Sequence, residues 1–282
     1  MKNNLSRRSF LATSGTTLAT GSISFSKTGA AQPGVPAKKP SKLVLGMASY
    51  TFRTFKLEEA ISMTKRLGLT RLSLKDMHLP LTLSDADIKA AISLVKNAGI
   101  EPYSCGVVYM KSEQEVNRAF EYAKSAGMSV IIGVPNHELL ALVNKKIQEY
   151  NIQVAVHNHG PGDKLYPSPE SVYEKIKTLD KRCGMCIDIG HTQRIGIDPS
   201  DAVKQYADRV LDIHVKDVSA PTTQGSTVEI GRGVIDIPKF LKTLMQIKYS
   251  GIVSLEYEKD NKDPLPGAAE SIGYLNGVLA AL

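Results

Sequence analysis

Four short segments carry the residues of this chain most able to bind a cation or move a proton. They are Val156-His157-Asn158-His159, Cys186-Ile187-Asp188-Ile189-Gly190-His191, Asp212-Ile213-His214-Val215-Lys216-Asp217 and Ser254-Leu255-Glu256-Tyr257-Glu258. Each alternates apolar with ionisable side chains, and in an extended strand alternate residues share a face. Gln153, Ala155, His157 and His159 thus oppose Ile152, Val154 and Val156, and Cys186 and Asp188 oppose Ile187 and Ile189. Likewise Asp212, His214 and Lys216 oppose Leu211, Ile213 and Val215, and Ser254, Glu256 and Glu258 oppose Val253 and Leu255. A further segment puts Ser73 and Lys75 opposite Leu72 and Leu74.

Burying so many ionisable groups costs several kcal/mol each unless they pair or bind a cation. One reading is an internal salt-bridge network. The favoured one takes Asp188, His214 and Glu256 as a mixed nitrogen and oxygen ligand set, suited to Mn²⁺, Zn²⁺, Fe²⁺ or Co²⁺. An ion there would polarise a carbonyl and its adjacent hydroxyl, and a base with a pKa near working pH would remove the α-proton. Lys75, His78, His191 and Lys216 stand at strand ends where they can polarise, donate protons or hold hydroxyls. Lys216 is the strongest of these, because it shares a face with His214.

These segments need a scaffold that gathers strand ends. Strand-like runs occur at Leu43–Tyr50, Arg71–Lys75, Pro102–Val107, Val130–Val134, Ile152–His157, Met185–Ile189, Val210–Val215 and Ile252–Glu256. Each precedes a stretch with helical spacing of apolar residues. Ser84 and Ser112 precede acids three residues on, Pro199 suits a first helical position, and Gly68, Gly99 and Gly127 punctuate helix ends. Eight such units fit a (β/α)8 TIM barrel, whose chemistry sits at the strand C-termini. A doubly wound open sheet fits less well, because no G-x-G-x-x-G follows the first strand.

Three of these segments, together with the turn Gly231-Arg232-Gly233-Val234-Ile235-Asp236, resemble the sugar phosphate isomerase/epimerase superfamily, the xylose isomerase-like TIM barrels. The resemblance covers roughly residues 43–280. It implies one divalent metal, Mn²⁺ first with Zn²⁺, Co²⁺, Fe²⁺ or Mg²⁺ as alternatives, held by residues of strands five to eight. Asp188, His214 and Glu256 match the last three ligand positions. His157 falls on the first, where the family's epimerases usually carry Glu, so a symmetrical proton transfer between two metal-bound glutamates is not expected here. His159 could replace His157 as ligand or hold substrate, and His78 and Glu258 are expected at the substrate. The expected activity is isomerase or epimerase chemistry on an unphosphorylated sugar, with Glu256, His157, Lys216, His191 and Lys75 as catalytic candidates. A lyase or hydratase acting on a keto-sugar or 3-keto-glycoside comes next, and a non-catalytic sugar-binding barrel third.

The chain has 282 residues and a formal charge of +7. Six of its 35 Lys and Arg lie in residues 1–40, which hold no acid, so 29 bases face 28 acids in the remainder. With few aromatics to stack on bases, a nearly neutral body argues against nucleic acid as partner. The excess belongs to a leader: Arg7-Arg8-Ser9-Phe10-Leu11, a weakly apolar stretch, then small residues at Thr28-Gly29-Ala30-Ala31. This resembles a twin-arginine export signal over 1–31, with a linker at 32–42 and a single barrel domain at 43–282, and implies a periplasmic enzyme. No apolar run reaches the ~18 residues of a membrane span, so stable insertion is not expected. An oligomer of identical chains is compatible with the sequence. Cys183 and Cys186 show C-x-x-C spacing but run into a strand, where residues three apart are separated by ~10 Å, too far for a disulfide.

Overall fold

The computed structural model describes residues 43–282; the expected leader (1–31) and linker (32–42) lie outside the described residues. Eight parallel strands close into a barrel in sequence order: Val44–Ala48, Arg71–Leu74, Glu101–Met110, Val130–Pro135, Gln153–His157, Cys183–Asp188, Val210–Val215 and Ile252–Leu255. Closure is explicit, since Val44 pairs with Ile252 and Met47 with both Leu255 and Leu72.

Helix starts follow the sequence signals. Ser84 accepts a hydrogen bond from Asp87 N at 3.2 Å and Ser112 from Glu115 N at 3.3 Å, each capping the helix it precedes. Pro199 opens its helix behind an Asp198 cap. Gly127 ends the helix Glu113–Ala126 in the left-handed region at φ 66°, a conformation that favours glycine.

Several strand ends depart from expectation; the first strand stops at Ala48 where Tyr50 was expected, and two others bear on the site. The third strand runs on to Met110 instead of stopping at Val107, which carries Tyr109 up to the barrel mouth. The sixth stops at Asp188, so Ile189 belongs to a short helix, Ile189–Gln193, and not to the strand. The cause is Asp188 itself: its Oδ1 accepts from His191 N at 2.8 Å and turns the chain.

The barrel interior is filled. Tyr103 of the third strand hydrogen-bonds Ser254 of the eighth at 2.6 Å, and Asp212 and Cys186 are buried at adjoining positions. Desolvation there pushes the Asp212 carboxyl up to about 7. Cys105, Cys183 and Cys186 are unpaired and buried, as packing residues should be. Among the described residues no helix is long and apolar enough to cross a membrane.

Above the seventh strand, Asp217 organises the glycine-rich turn. Its Oδ2 accepts from Gly231 N at 2.9 Å and Gly233 N at 3.0 Å, and its Oδ1 from Val218 N at 2.9 Å and Ile235 N at 3.2 Å. Gly233 leaves room for this, since a Cβ there would lie 2.1 Å from Asp217 Oδ1. The turn is built around a carboxylate that the sequence reading passed over.

Candidate metal and substrate site

Strand register delivers the ligand candidates to one point. His157 pairs with Cys186 and Asp188 with His214; His214 also pairs with Ser254, two residues before Glu256. His157, Asp188, His214 and Glu256 are all buried and each offers an atom within 4.8 Å of the others. Both ring nitrogens of His157 and Nε2 of His214 are buried without a hydrogen-bond partner, while His214 Nδ1 lies 3.4 Å from Glu256 Oε2 and Asp188 Oδ2 faces Lys216. Unsatisfied polar atoms are costly in an interior, and one atom from each of the four residues, gathered within 4.8 Å, fits a bound cation. Burial drives His157 down to about 3, leaving a neutral imidazole with a lone pair to offer. Cys186 also neighbours the two histidines, but burial pushes its thiol up to about 12. A protonated thiol is a poor ligand, so the four-residue set is the better one.

Lys216 enters this cluster from the side. Its Nζ lies 3.0 Å from Asp188 Oδ2 and 2.8 Å from Glu256 Oε2, and also contacts Glu258. Desolvation opposes the ammonium, but Asp188, Glu256 and Glu258 outweigh it and hold the pKa well above the ordinary lysine value. Asp188 is framed in turn by Asn158, which accepts from Asp188 N at 3.1 Å, and by Thr192, which donates to Asp188 O at 2.7 Å. Neither was singled out from sequence, although Asn158 sits between the two histidines that were.

Over this floor opens a cavity of about 330 Å³, whose walls include Lys75, Tyr109, His159, His191, Glu256 and Glu258. Burial lowers the pKa of both His159 and His191, which keeps them neutral near pH 7. His159 is held by Tyr109, whose hydroxyl lies 3.1 Å from Nε2 and whose ring stacks at 5.7 Å between centroids. His159 is thus placed on the cavity wall, outside the four-residue cluster. Tyr109 and Tyr50 line the cavity unforeseen; a register shift between Cys105 and Val108 breaks the third strand's alternation before Tyr109.

His78 is corrected. Expected at the substrate, it is 5% exposed and does not line the cavity. Its Nδ1 lies 3.0 Å from Ser49 Oγ and its Nε2 3.1 Å from Phe52 O, so both nitrogens serve the turn after the first strand. Ser49 also accepts from Lys75 N at 2.8 Å, making His78 a support for the strand end that presents Lys75.

A closed eightfold parallel barrel with ionisable residues gathered at the strand C-termini defines a TIM-barrel architecture. Residues 56–278 match the xylose isomerase-like TIM barrel family, and the chain belongs to it. Among curated proteins it is 24% identical over 147 residues to the rhizopine catabolism protein MocC of Rhizobium meliloti, covering 47% of this chain and 45% of that one. The chain thus matches less than half the length of that relative. Solved structures with the same fold include a D-tagatose 3-epimerase-like protein (TM-score 0.70, 19% identity, 85% of this chain and 98% of that one). The IolI protein with a bound zinc atom matches equally well (TM-score 0.70, 18% identity, 85% and 99%). A third is the probable 3-DHS dehydratase AsbF of Bacillus anthracis (TM-score 0.68, 12% identity, 83% and 99%).

Proposed function

We propose that the protein is a divalent-metal-dependent enzyme that removes and returns the proton beside the carbonyl of an unphosphorylated sugar, as an isomerase or epimerase. The observation that carries this is the convergence of buried His157, Asp188, His214 and Glu256, each offering an atom within 4.8 Å of the others, at the floor of a polar cavity. Those four residues would hold the ion. A divalent cation held there, Mn²⁺ first, would supply Lewis acidity towards a carbonyl and its neighbouring hydroxyl, making the α-carbon more acidic.

The chain's own groups do the rest. Glu256 borders both the cluster and the cavity and takes the α-proton. Lys216 beside it holds the carboxylate ionised. His191 and His159 face the cavity as neutral imidazoles that can hydrogen-bond the sugar oxygens, while the Glu256 carboxyl gives the proton back. Lys75 closes the opposite wall as a donor to a hydroxyl or carbonyl oxygen.

His157 supports a second reading. Imidazole at the fifth-strand position leaves no second cluster glutamate to mirror Glu256 across the sugar carbon. Expulsion of a β-substituent, as in a lyase, or addition of water in reverse, as in a hydratase, needs only one base and fits that asymmetry. The nearness in fold to both an epimerase-like protein and a probable dehydratase is compatible with either outcome.

The test is proton-exchange NMR in D₂O with Mn²⁺-loaded protein over free sugars and 3-keto-glycosides. Deuterium at the α-carbon with the skeleton retained supports the first reading, and release of an aglycone the second. A Glu256→Gln variant that binds metal yet turns over at the wild-type rate sinks the role of Glu256. The Arg7-Arg8 leader supports a periplasmic place of work. Residues 1–42 fused to a folded reporter should direct its export, and Arg7→Lys with Arg8→Lys should stop it.

A further inference from the structure

A second cavity, of about 510 Å³, adjoins the first. The two share Lys75, Val107 and Tyr109 as common wall. The inner one, at about 330 Å³, lies near the lower limit of small-molecule pockets, roughly 300–1,000 Å³, which is room for one small sugar ring. The outer one lies between the loop after the second strand and the start of the helix Glu113–Ala126, and is bordered by Pro80, Leu81, Thr82, Val108 and Gln114.

The dividing wall is fixed. Tyr109 is 46% exposed, a large aromatic left open at a cavity mouth, yet its ring and hydroxyl are both held by His159. Lys75 is anchored by contacts with Val107 O and, at 3.5 Å, Asp76 Oδ1. The outer cavity's shape is also held: Arg118 Nη2 donates to Leu83 O at 2.6 Å and its Nε contacts Leu81 O. A rigid aromatic face beside apolar side chains suits the C–H face of a sugar ring, and carboxylates and amides at the edge suit its hydroxyls. Asp76 and Glu115 are balanced by Lys75 and Arg118, so the lining carries no net charge and suits a neutral occupant.

We propose that the outer cavity is a second sugar subsite, so that the preferred ligand is a two-ring glycoside with one ring over the metal cluster and the other beyond Tyr109. This rests on the sugar-processing reading of the inner cavity. It makes Leu81, Thr82 and Gln114 specificity-determining residues that touch only the second ring.

The test is calorimetric binding of non-reacting sugars to the Mn²⁺-loaded protein. Cellobiose, maltose, trehalose and sucrose are compared with the methyl glucosides. At least one disaccharide should bind about tenfold tighter than its one-ring counterpart. Thr82→Trp, an exposed position, should fill the outer cavity, erase that advantage and leave one-ring binding unchanged. Equal affinity for one and two rings, loss of both in Thr82→Trp, or no binding across the panel overturns the subsite. Tight two-ring binding without proton exchange supports the subsite while overturning the chemistry; exchange into one-ring keto-sugars with no two-ring advantage does the reverse.

Discussion

The stem of Lys216 reaches Asp188 because residue 190 is glycine: a Cβ at Gly190 would lie 2.2 Å from Lys216 Cγ and 2.7 Å from its Cδ. The helix that starts at Ile189 therefore lets a lysine pass through its first turn into the cluster.

Gly190→Ala should push that stem aside. Overpacking of this kind costs about 1–3 kcal/mol, read as a lowered urea midpoint with unchanged m. Turnover should fall with it, since Glu256 loses its buried cation.

Lys216→Met removes the ammonium and leaves Asp188 and Glu256 buried without it. The metal-free protein should lose about 3–5 kcal/mol of stability, the usual cost of breaking a buried ion pair. Mn²⁺, no longer sharing those carboxylates with a cation, should bind about tenfold tighter or more. Thermal unfolding with and without Mn²⁺ checks both: the ion should raise Tm further in the variant than in wild type. An equal gain in both proteins refutes the idea that lysine and metal compete for the same oxygens.

Asp217→Ala strips the acceptor from four backbone N–H groups, three of them in or beside the turn Gly231–Ile235. Hydrogen bonds to a charged group are worth about 1.5–3 kcal/mol each, and partial rehydration leaves an expected loss of about 3–5 kcal/mol. Amide hydrogen exchange at Gly231, Gly233 and Ile235 should accelerate more than at the strands.

Glu229 supplies a pH signature. Lys259 beside it, helped by the Tyr257 hydroxyl at 2.8 Å, lowers its carboxyl to about 2. A folded pKa below the unfolded value of about 4.3 gives stability that is present above that value and lost as pH falls towards 2. Glu229→Gln should lower stability at neutral pH and flatten its decline between about pH 4.3 and 2, measured by urea unfolding across that window.

The barrel was legible because parallel strands buried on both faces read as largely apolar runs, each followed by helical spacing, with glycine stops at Gly68, Gly99 and Gly127. Asp188, His214 and Glu256 were legible because inward polar residues at strand ends break that pattern. The missed or misplaced residues depend on contacts distant in sequence. His78 looks like any strand-end histidine until Ser49 and Phe52, more than 25 residues earlier, close on it. Tyr109 required knowing that the third strand continues past Val107, and Asp217 that a turn 14 to 18 residues later wraps around it. The end of strand six was misread because strand propensity says nothing of a carboxylate that caps the next turn.

That carboxylate serves two masters. Asp188 gives Oδ1 to the amide of His191 and turns Oδ2 towards Lys216 Nζ, 3.0 Å away, at the floor of the cavity. Whatever engages the second oxygen also pulls on the anchor of the segment that presents the His191 imidazole. Filling the floor and stiffening the wall thus become one mechanical event, transmitted through a single side chain without any hinge.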